Sequence, residues 1–222
     1  MNEAKVIRFS AAERFLHLLY FLAFLTLAGT GLVLYLPQLQ GYTLAEAGQL
    51  SRLIHRLAAV ILMAIPILYF LLDRSNFRES LRKILSWNRA DWAWFRSAPR
   101  FYWTGDRTGI PPQDKFNTGQ KLHALIQAVC FAVFVATGLI LWIWPQGSPP
   151  WLFRLSVILH DLAFLISSSG FLLHVYLAVI HPLTRQHAGA MVDGTIPEID
   201  ARELYPLWYK ERHKEMERRR AA

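Results

Sequence analysis

The sequence predicts an all-α membrane protein built as a bundle of four transmembrane helices. Of its 222 residues, 54% are hydrophobic, which is more than an ordinary soluble domain contains. The apolar residues also collect in long runs. A helix needs roughly 20 apolar residues to cross a hydrocarbon core of about 30 Å, and four runs meet that length, at about 15–36, 53–72, 122–144 and 155–181.

The first run follows basic residues, as the apolar region of a signal peptide does. It is longer than such a region, and no small-residue cleavage pattern follows Gly31. We therefore predict that this run is a retained span and that residues 1–222 form a single integral membrane domain.

The distribution of lysine and arginine predicts how the spans are oriented. Of the 24 such residues, three precede the first span, ten lie between the second and third, and eight follow the fourth. The connections 37–52 and 145–154 hold one each. Because cytoplasmic segments carry the excess of these residues, both termini, the loop 73–121 and the tail 182–222 are predicted to be cytoplasmic. The net charge of +8 then indicates contact with anionic lipid, with no role in nucleic-acid binding.

Basic residues alternate with tryptophan in the loop, over residues 81–103 (LRKILSWNRADWAWFRSAPRFYW). This combination predicts a helix that lies along the headgroup region. The C-terminal sequence YKERHKEMERRR predicts a solvated helix or a frayed tail.

Four histidines lie near the ends of spans, where an ionisable side chain is costly and usually faces the protein interior. In the predicted topology His55 and His160 are near the outer surface, and His17 and His174 are near the inner one. His160 and His174 are 14 residues apart, so they share one helix face at depths that differ by about 21 Å. Two depth-matched pairs, His55 with His160 and His17 with His174, are what two six-coordinate b haems require. Four glycines would let a flat macrocycle approach the backbone: Gly29, Gly31, Gly138 and Gly170.

These histidines are also compatible with roles that involve no haem. A histidine in a span serves equally as an interhelical hydrogen-bond partner or in a proton relay. Zinc suits the pattern less well, because the pairs lie about 21 Å apart with no local set of four ligands. Asp161 is expected to contact a histidine or a lipid headgroup, and His123 and His181 to be interfacial or to assist haem propionates or a proton path. Cys130, the only cysteine, excludes disulfides, iron–sulfur ligation and covalent haem attachment within this chain.

Six segments resemble, in order, the gamma (cytochrome b) subunit of membrane-bound respiratory formate dehydrogenase: ERFLHLLYF, SRLIHRLAAV, KFNTGQKL, VILHDLA, FLLHVYLAVIHP and LYPLWYKE. The resemblance implies that the axial ligands of two b haems are His17, His55, His160 and His174. It also implies a quinone site at the cytoplasmic end, formed by Asn117, Gly119, Gln120 and His174. Without the resemblance, Asn117 would be an ordinary helix N-cap, with Gly119 and Gln120 in the first turn.

The implied function is electron transfer in the bacterial inner membrane. Electrons would pass from a catalytic alpha subunit, through an iron–sulfur beta subunit and both haems, to menaquinone or ubiquinone. The chain would then be an electron-transfer subunit and not the formate-oxidising chain. Equivalent cytochromes serve hydrogenases and sulfur-compound reductases, so these donors remain alternatives, as does a redox-inactive membrane anchor. A proton-coupled transporter is disfavoured, because no charged residue lies at mid-membrane depth.

Overall fold

The computed structural model describes residues 4–39 and 46–221, which are helical apart from connections and one short strand pair. The predicted connection 37–52 therefore lies partly outside the described residues. The chain divides into two compact units: residues 11–78 form one, and the described residues of 1–10 and 79–222 form the other.

The unit of residues 11–78 is a pair of long apolar helices. Helix α1 spans Ala11–Tyr35 and is followed by a 3-10 turn, Pro37–Leu39, and helix α2 spans Glu46–Leu72. The two helices pack along their length. The Tyr69 hydroxyl donates to Oε1 of Glu13 at 2.8 Å, which joins the start of α1 to the end of α2.

The other unit holds the second long helix pair and most of the polar segments. Helix α3 (Arg74–Leu85) begins in the unit of residues 11–78 and ends in this one. The helical elements that follow it are α4 (Arg89–Thr104), α5 (Thr118–Ile143), α6 (Pro150–Val175), a π turn (Tyr176–Ile180), a 3-10 helix (Arg185–Met191), α7 (Glu198–Leu204) and α8 (Pro206–Ala221). Helices α5 and α6 pack against each other as α1 and α2 do.

Four helices among the described residues are long and apolar enough to cross a membrane: Ala11–Tyr35, Gly48–Leu72, Thr118–Ile143 and Pro150–Ile180. The prediction of an all-α membrane protein with four spans is confirmed. Each helix begins four to seven residues before its predicted span, because a basic residue that an apolar run excludes stands just before each span: Arg14, Arg52, Lys121 and Arg154. The number of haems, the cytoplasmic side of the termini and the single-domain assignment stay predictions.

The loop 73–121 contains two helices where one surface helix was expected. The break falls at residues 86–88, where Asn88 caps α4: its side chain accepts from the Ala90 N–H at 2.7 Å, and the Asp91 carboxylate accepts from the Asn88 N–H at 3.0 Å. The tryptophans of α4 divide between two environments. Trp92 and Trp103 are exposed, as an interfacial location requires, whereas Trp94 is buried against α5.

A two-stranded antiparallel sheet joins the two ends of the chain. Strand β1 (Lys5–Ile7) pairs with strand β2 (Thr195–Pro197), and Ile196 is buried in a small core with Tyr205 and Trp208. These strands were not predicted from the sequence, because three residues are too few to display a strand period. Since β1 precedes the first span and β2 follows the fourth, the pairing requires both segments to lie on one side of the membrane.

Two buried lysines are neutralised near the start of α5. Lys121 Nζ lies 2.9 Å from the Asp91 carboxylate, and both side chains are buried. Burial by itself would raise the pKa of Asp91, but the hydrogen bonds from Lys121, Asn88 and Thr118 outweigh it and hold the pKa below the ordinary value of 3.8. Lys83 Nζ lies 2.6 Å from both Asp114 and Glu211; burial opposes its charge, yet these two acids raise its pKa above the ordinary value of 10.5.

We expect Asp91→Asn to lower the free energy of unfolding by about 3–5 kcal/mol, because it leaves the Lys121 ammonium buried without its counter-ion. Since the folded pKa of Asp91 is below 3.8, the wild-type contribution is complete above that pH and is lost as the pH falls through the folded value. Thermal unfolding in detergent at neutral pH measures the loss. The matched control is Glu203→Gln, whose partner Arg107 is exposed; it should cost less than about 1 kcal/mol. Equal melting of Asp91→Asn and wild type would contradict the expectation.

Candidate functional site

His55 lies in the third turn of α2, close to the end of α1. Its Nδ1 lies 2.9 Å from Oγ1 of Thr30, which is on α1. The next residue, Gly31, lies against the same ring: a Cβ at this position would be 3.5 Å from Cε1 of His55. The His55 imidazole therefore packs on α1 beside the Thr30 hydroxyl, in space that is open because Gly31 has no side chain.

His160 has the same kind of environment in the other helix pair. Its Nδ1 lies 2.8 Å from Oγ1 of Thr137 on α5, and a Cβ on Gly138 would lie 3.6 Å from its Cε1. Phe134 meets the same imidazole edge to face, at 5.0 Å between ring centroids. In each pair the histidine is at the end where the two long helices are connected.

His174 lies at the other end of α6, where its ring stacks on that of His123 from α5. The centroids are 4.7 Å apart and the planes differ by 11°. Gly170, one turn before His174, faces His123 and Gln127, since a Cβ there would lie 3.5 Å from Nδ1 of His123. Gln127 also bonds to the hydroxyl and the carbonyl of Ser167, which fixes this part of the α5–α6 contact.

The fourth predicted ligand, His17, lies on α1 at the end opposite to Thr30. Within each helix pair, one predicted ligand is thus nearer to the connected end and one nearer to the open end. The pairings themselves, His55 with His160 and His17 with His174, each combine residues of the two units and stay predictions.

The predicted quinone residues form the N-terminus of α5. Asn117 and Gln120 make a capping box: the Asn117 side chain accepts from the Gln120 N–H at 2.9 Å, and the Gln120 side chain accepts from the Asn117 N–H at 3.1 Å. Gly119 packs against Trp94 so closely that a Cβ would lie 2.9 Å from its Cη2. The geometry therefore assigns a local structural role to all three residues, whether or not they also bind a ligand.

A polar cavity of about 280 Å³ adjoins this helix start. Lys83 and Lys121 line it, with their carboxylate partners, and so do Gln113 and Phe116. The Thr118 hydroxyl donates to the Asp91 carboxylate at 2.9 Å, which connects the first turn of α5 to the charged lining. The cavity thus places titratable groups within the same small region as the capping box.

Three more titratable residues, His181, His187 and Asp161, lie outside these clusters. His181 is buried, with Nε2 3.1 Å from the carbonyl oxygen of Tyr102. His187 lies 3.2 Å from the Asp200 carboxylate; burial lowers its pKa more than this acid raises it. Asp161 is partly exposed, and no described contact assigns it to a histidine.

The donor set suits haem better than a compact metal site. Across the described ranges 4–39 and 46–221, no group of three or more His, Cys, Asp or Glu side chains is arranged to hold a metal ion. What these residues offer is single imidazoles at the ends of long apolar helices, and neutral imidazole nitrogens are the axial donors that b haems use.

Thr30 and Thr137, the hydroxyl partners of two predicted ligands, were not predicted from the sequence. A signal for them exists there: TGLVLY at 30–35 and TGLILW at 137–142 are nearly identical, and a histidine follows each threonine by 25 and 23 residues respectively.

Comparison with known proteins places these features in a family. The sequence model described as prokaryotic cytochrome b561 matches residues 8–194. The cytochrome b556(fdo) subunit of formate dehydrogenase from Escherichia coli strain K12 is 24% identical over 218 residues, covering 96% of both chains. The nitrate-inducible cytochrome b556(Fdn) subunit of the same strain is 23% identical, covering 95% of this chain and 94% of its own. The formate dehydrogenase cytochrome b556 subunit of Haemophilus influenzae is also 23% identical, with 95% and 84% covered.

We expect Gly119→Ala to destabilise the protein by about 1–3 kcal/mol, because the new methyl group would overlap the Trp94 ring. Trp94→Phe, which shortens that ring, should recover part of the loss in the double variant. Gly189→Ala is the control, since nothing lies within 4 Å of its Cβ position. Thermal unfolding measures all four variants. A Gly119→Ala variant as stable as Gly189→Ala would show that the Trp94 ring moves aside with no loss of stability.

Proposed function

The chain belongs to the prokaryotic cytochrome b561 family, and on that premise we propose that it is the di-haem cytochrome b subunit of a respiratory formate dehydrogenase. The observation that carries the proposal is the near-complete coverage, in both directions, of relatives named as cytochrome b556 subunits of that enzyme. Membership in a family of b-type cytochromes implies haem b, and the four long apolar helices make this a multi-pass membrane protein.

We assign the axial ligands as His55 with His160 for one haem and His17 with His174 for the other. When bound, each haem supplies one-electron redox chemistry. The residues of this chain supply the imidazole donors, and the apolar helices around them exclude water and set a low dielectric. Non-covalent attachment follows from the sequence, which has a single cysteine and no CxxCH motif.

His123 is not proposed as an iron ligand, although its ring stacks on that of His174. Two imidazoles that held one haem between them would each present a ring nitrogen, not a ring face, to it. The rings of His123 and His174 instead lie face to face, parallel within 11°. This arrangement suits a flanking residue that packs on a ligand.

The proposed protein partners supply the iron–sulfur clusters that this chain cannot bind. One cysteine cannot ligate an iron–sulfur cluster, so an iron–sulfur beta subunit and a catalytic alpha subunit are proposed to deliver the electrons. The chain is proposed to lie in the bacterial inner membrane with both termini cytoplasmic, and to pass electrons from the outer haem to the inner one.

The proposed acceptor is a quinone, menaquinone or ubiquinone, bound near Asn117, Gly119, Gln120 and His174. Quinone reduction consumes protons, so a quinone site needs titratable groups or water beside it. The polar cavity next to residues 117–120, lined by Asp91, Asp114 and Glu211, supports this location. The amide groups of Asn117 and Gln120 supply hydrogen-bonding capacity for quinone oxygens in addition to their capping bonds.

We expect His160→Ala to lower the haem content from two b haems per chain to one, because the two ligand pairs do not share a histidine. Pyridine haemochrome analysis of the purified complex measures the content. His213→Ala, in the exposed tail helix α8, is the control and should retain both haems. Equal loss of both haems from a folded His160→Ala protein would contradict the pairing, and fewer than two haems in the wild type would contradict the di-haem assignment.

Asn117→Ser and Gln120→Glu separate a quinone role from the capping role, because serine is a good N-cap and glutamate completes a capping box at this position. Both variants lose amide donors that quinone oxygens would use. We expect a raised KM for quinone in steady-state assays, at unchanged haem content and melting temperature. Gln120→Ala, which removes the capping bond as well, should also lower the melting temperature. Wild-type quinone kinetics in Asn117→Ser and Gln120→Glu would restrict these residues to capping.

A further inference from the structure

The hydroxyls of Thr30 and Thr137 contact backbone carbonyl oxygens of their own helices as well as a histidine, and Thr30 also lies 3.3 Å from the carbonyl of Leu27. Thr137 Oγ1 lies 2.6 Å from the carbonyl oxygen of Val133, and Thr30 Oγ1 lies 2.7 Å from that of Thr26. A backbone carbonyl can only accept, so each threonine must donate its single hydroxyl proton to that carbonyl.

The histidine must then be the donor in the bond between Nδ1 and the hydroxyl oxygen. A neutral imidazole that carries its proton on Nδ1 has the lone pair on Nε2. The proton count therefore assigns the same tautomer to His55 and His160, the one that presents Nε2 to a metal. The same assignment holds in both units, through two separate helix pairs.

We propose that Thr30 and Thr137 are positioning residues for one and the same haem, the one assigned to His55 and His160. Each hydroxyl holds the Nδ1–H of its ligand, fixes the ring orientation, and makes Nε2 a stronger electron donor to iron. A stronger donor favours the ferric state, so both threonines lower the reduction potential of that haem and tighten its binding. The inference rests on the proposed ligand pairs and goes beyond them by naming the residues that tune one haem and not the other.

Thr30 and Thr137 make more hydrogen bonds than a threonine hydroxyl inside a helix needs. For that purpose the bond to the carbonyl four residues back is sufficient, and Thr26 makes such a bond to Leu22 on the exposed surface of α1. Thr30 and Thr137 make it and also contact an imidazole, and a glycine follows each of them and lies against that imidazole.

The test uses Thr30→Val and Thr137→Val in the assembled complex, since valine keeps the shape and removes the hydroxyl. Thr30→Ser and Thr137→Ser restore the oxygen, and Thr26→Val is the matched control from the same helix. Redox titration and low-temperature electron paramagnetic resonance follow each haem separately, and competition with an apo-haem scavenger measures haem affinity. His160→Ala identifies which haem belongs to His55 and His160.

We expect each valine variant to raise the potential of the haem that His160→Ala removes, to shift its resonance signal, and to weaken its binding by about 10- to 100-fold. The other haem should be unchanged in both variants. Serine should return all three properties toward wild type, and Thr26→Val should leave them unaltered. If a valine variant does not accumulate, the corresponding alanine variant and the other threonine position provide the same test.

Three results would overturn the inference. If the valine variants keep the wild-type reduction potentials and haem affinity, neither threonine influences the haem. Effects on two different haems would contradict the shared site. Failure of serine to restore the potential would assign the effect to packing. Failure of the proposed function looks different, because a wild-type complex with no haem on this chain would contradict the ligand pairs before any threonine is changed.

Discussion

An imidazole inside a membrane span has to be satisfied within the protein, and this requirement organises both long helix pairs. Lipid offers no hydrogen bonds, so each histidine in a span needs a polar partner on a neighbouring helix and space for its ring. His55 and His160 meet both needs in one way, with a threonine for Nδ1 and the following glycine for the ring edge. His174 meets the need for contact in another way, by stacking on His123. These contacts account for Thr30, Gly31, Thr137 and Gly138 within the spans.

Outside the spans the governing constraint is neutralisation of a large positive charge. The chain carries a net charge of +8, and part of its basic complement is buried around the start of α5. Lys83 is paired with several carboxylates and Lys121 with that of Asp91, and the Arg8 guanidinium donates to the Lys115 carbonyl at 2.7 Å while stacking on the Tyr205 ring. These contacts connect the segments before, between and after the spans at the place where the capping box begins. The helix start that is proposed to meet quinone is therefore held by charge pairs as well as by its own cap.

The membrane class, the four spans and the N-cap at Asn117 could all be predicted, because each depends on local features that the sequence displays directly. Apolar length predicts a span, and an asparagine just before an apolar run predicts a helix N-cap. The threonine partners of His55 and His160 could not be found that way, since each contact joins residues more than 20 positions apart on different helices. Trp94 was assigned with its neighbours to the headgroup region, yet it is buried against Gly119, because α4 turns one of its aromatic residues toward α5. Periodicity does not reveal which residue of an aromatic series faces inward.

The small sheet has a consequence for how the chain is made. Strand β1 leaves the ribosome before any span, and its partner β2 is synthesised only after the fourth. Residues 5–7 therefore have no strand partner until β2 has been synthesised. Closure buries Ile196 beside Trp208 and brings Arg8 onto Tyr205. A chain truncated before residue 195 therefore loses this contact between its N-terminal and C-terminal segments, even where its four long helices are present.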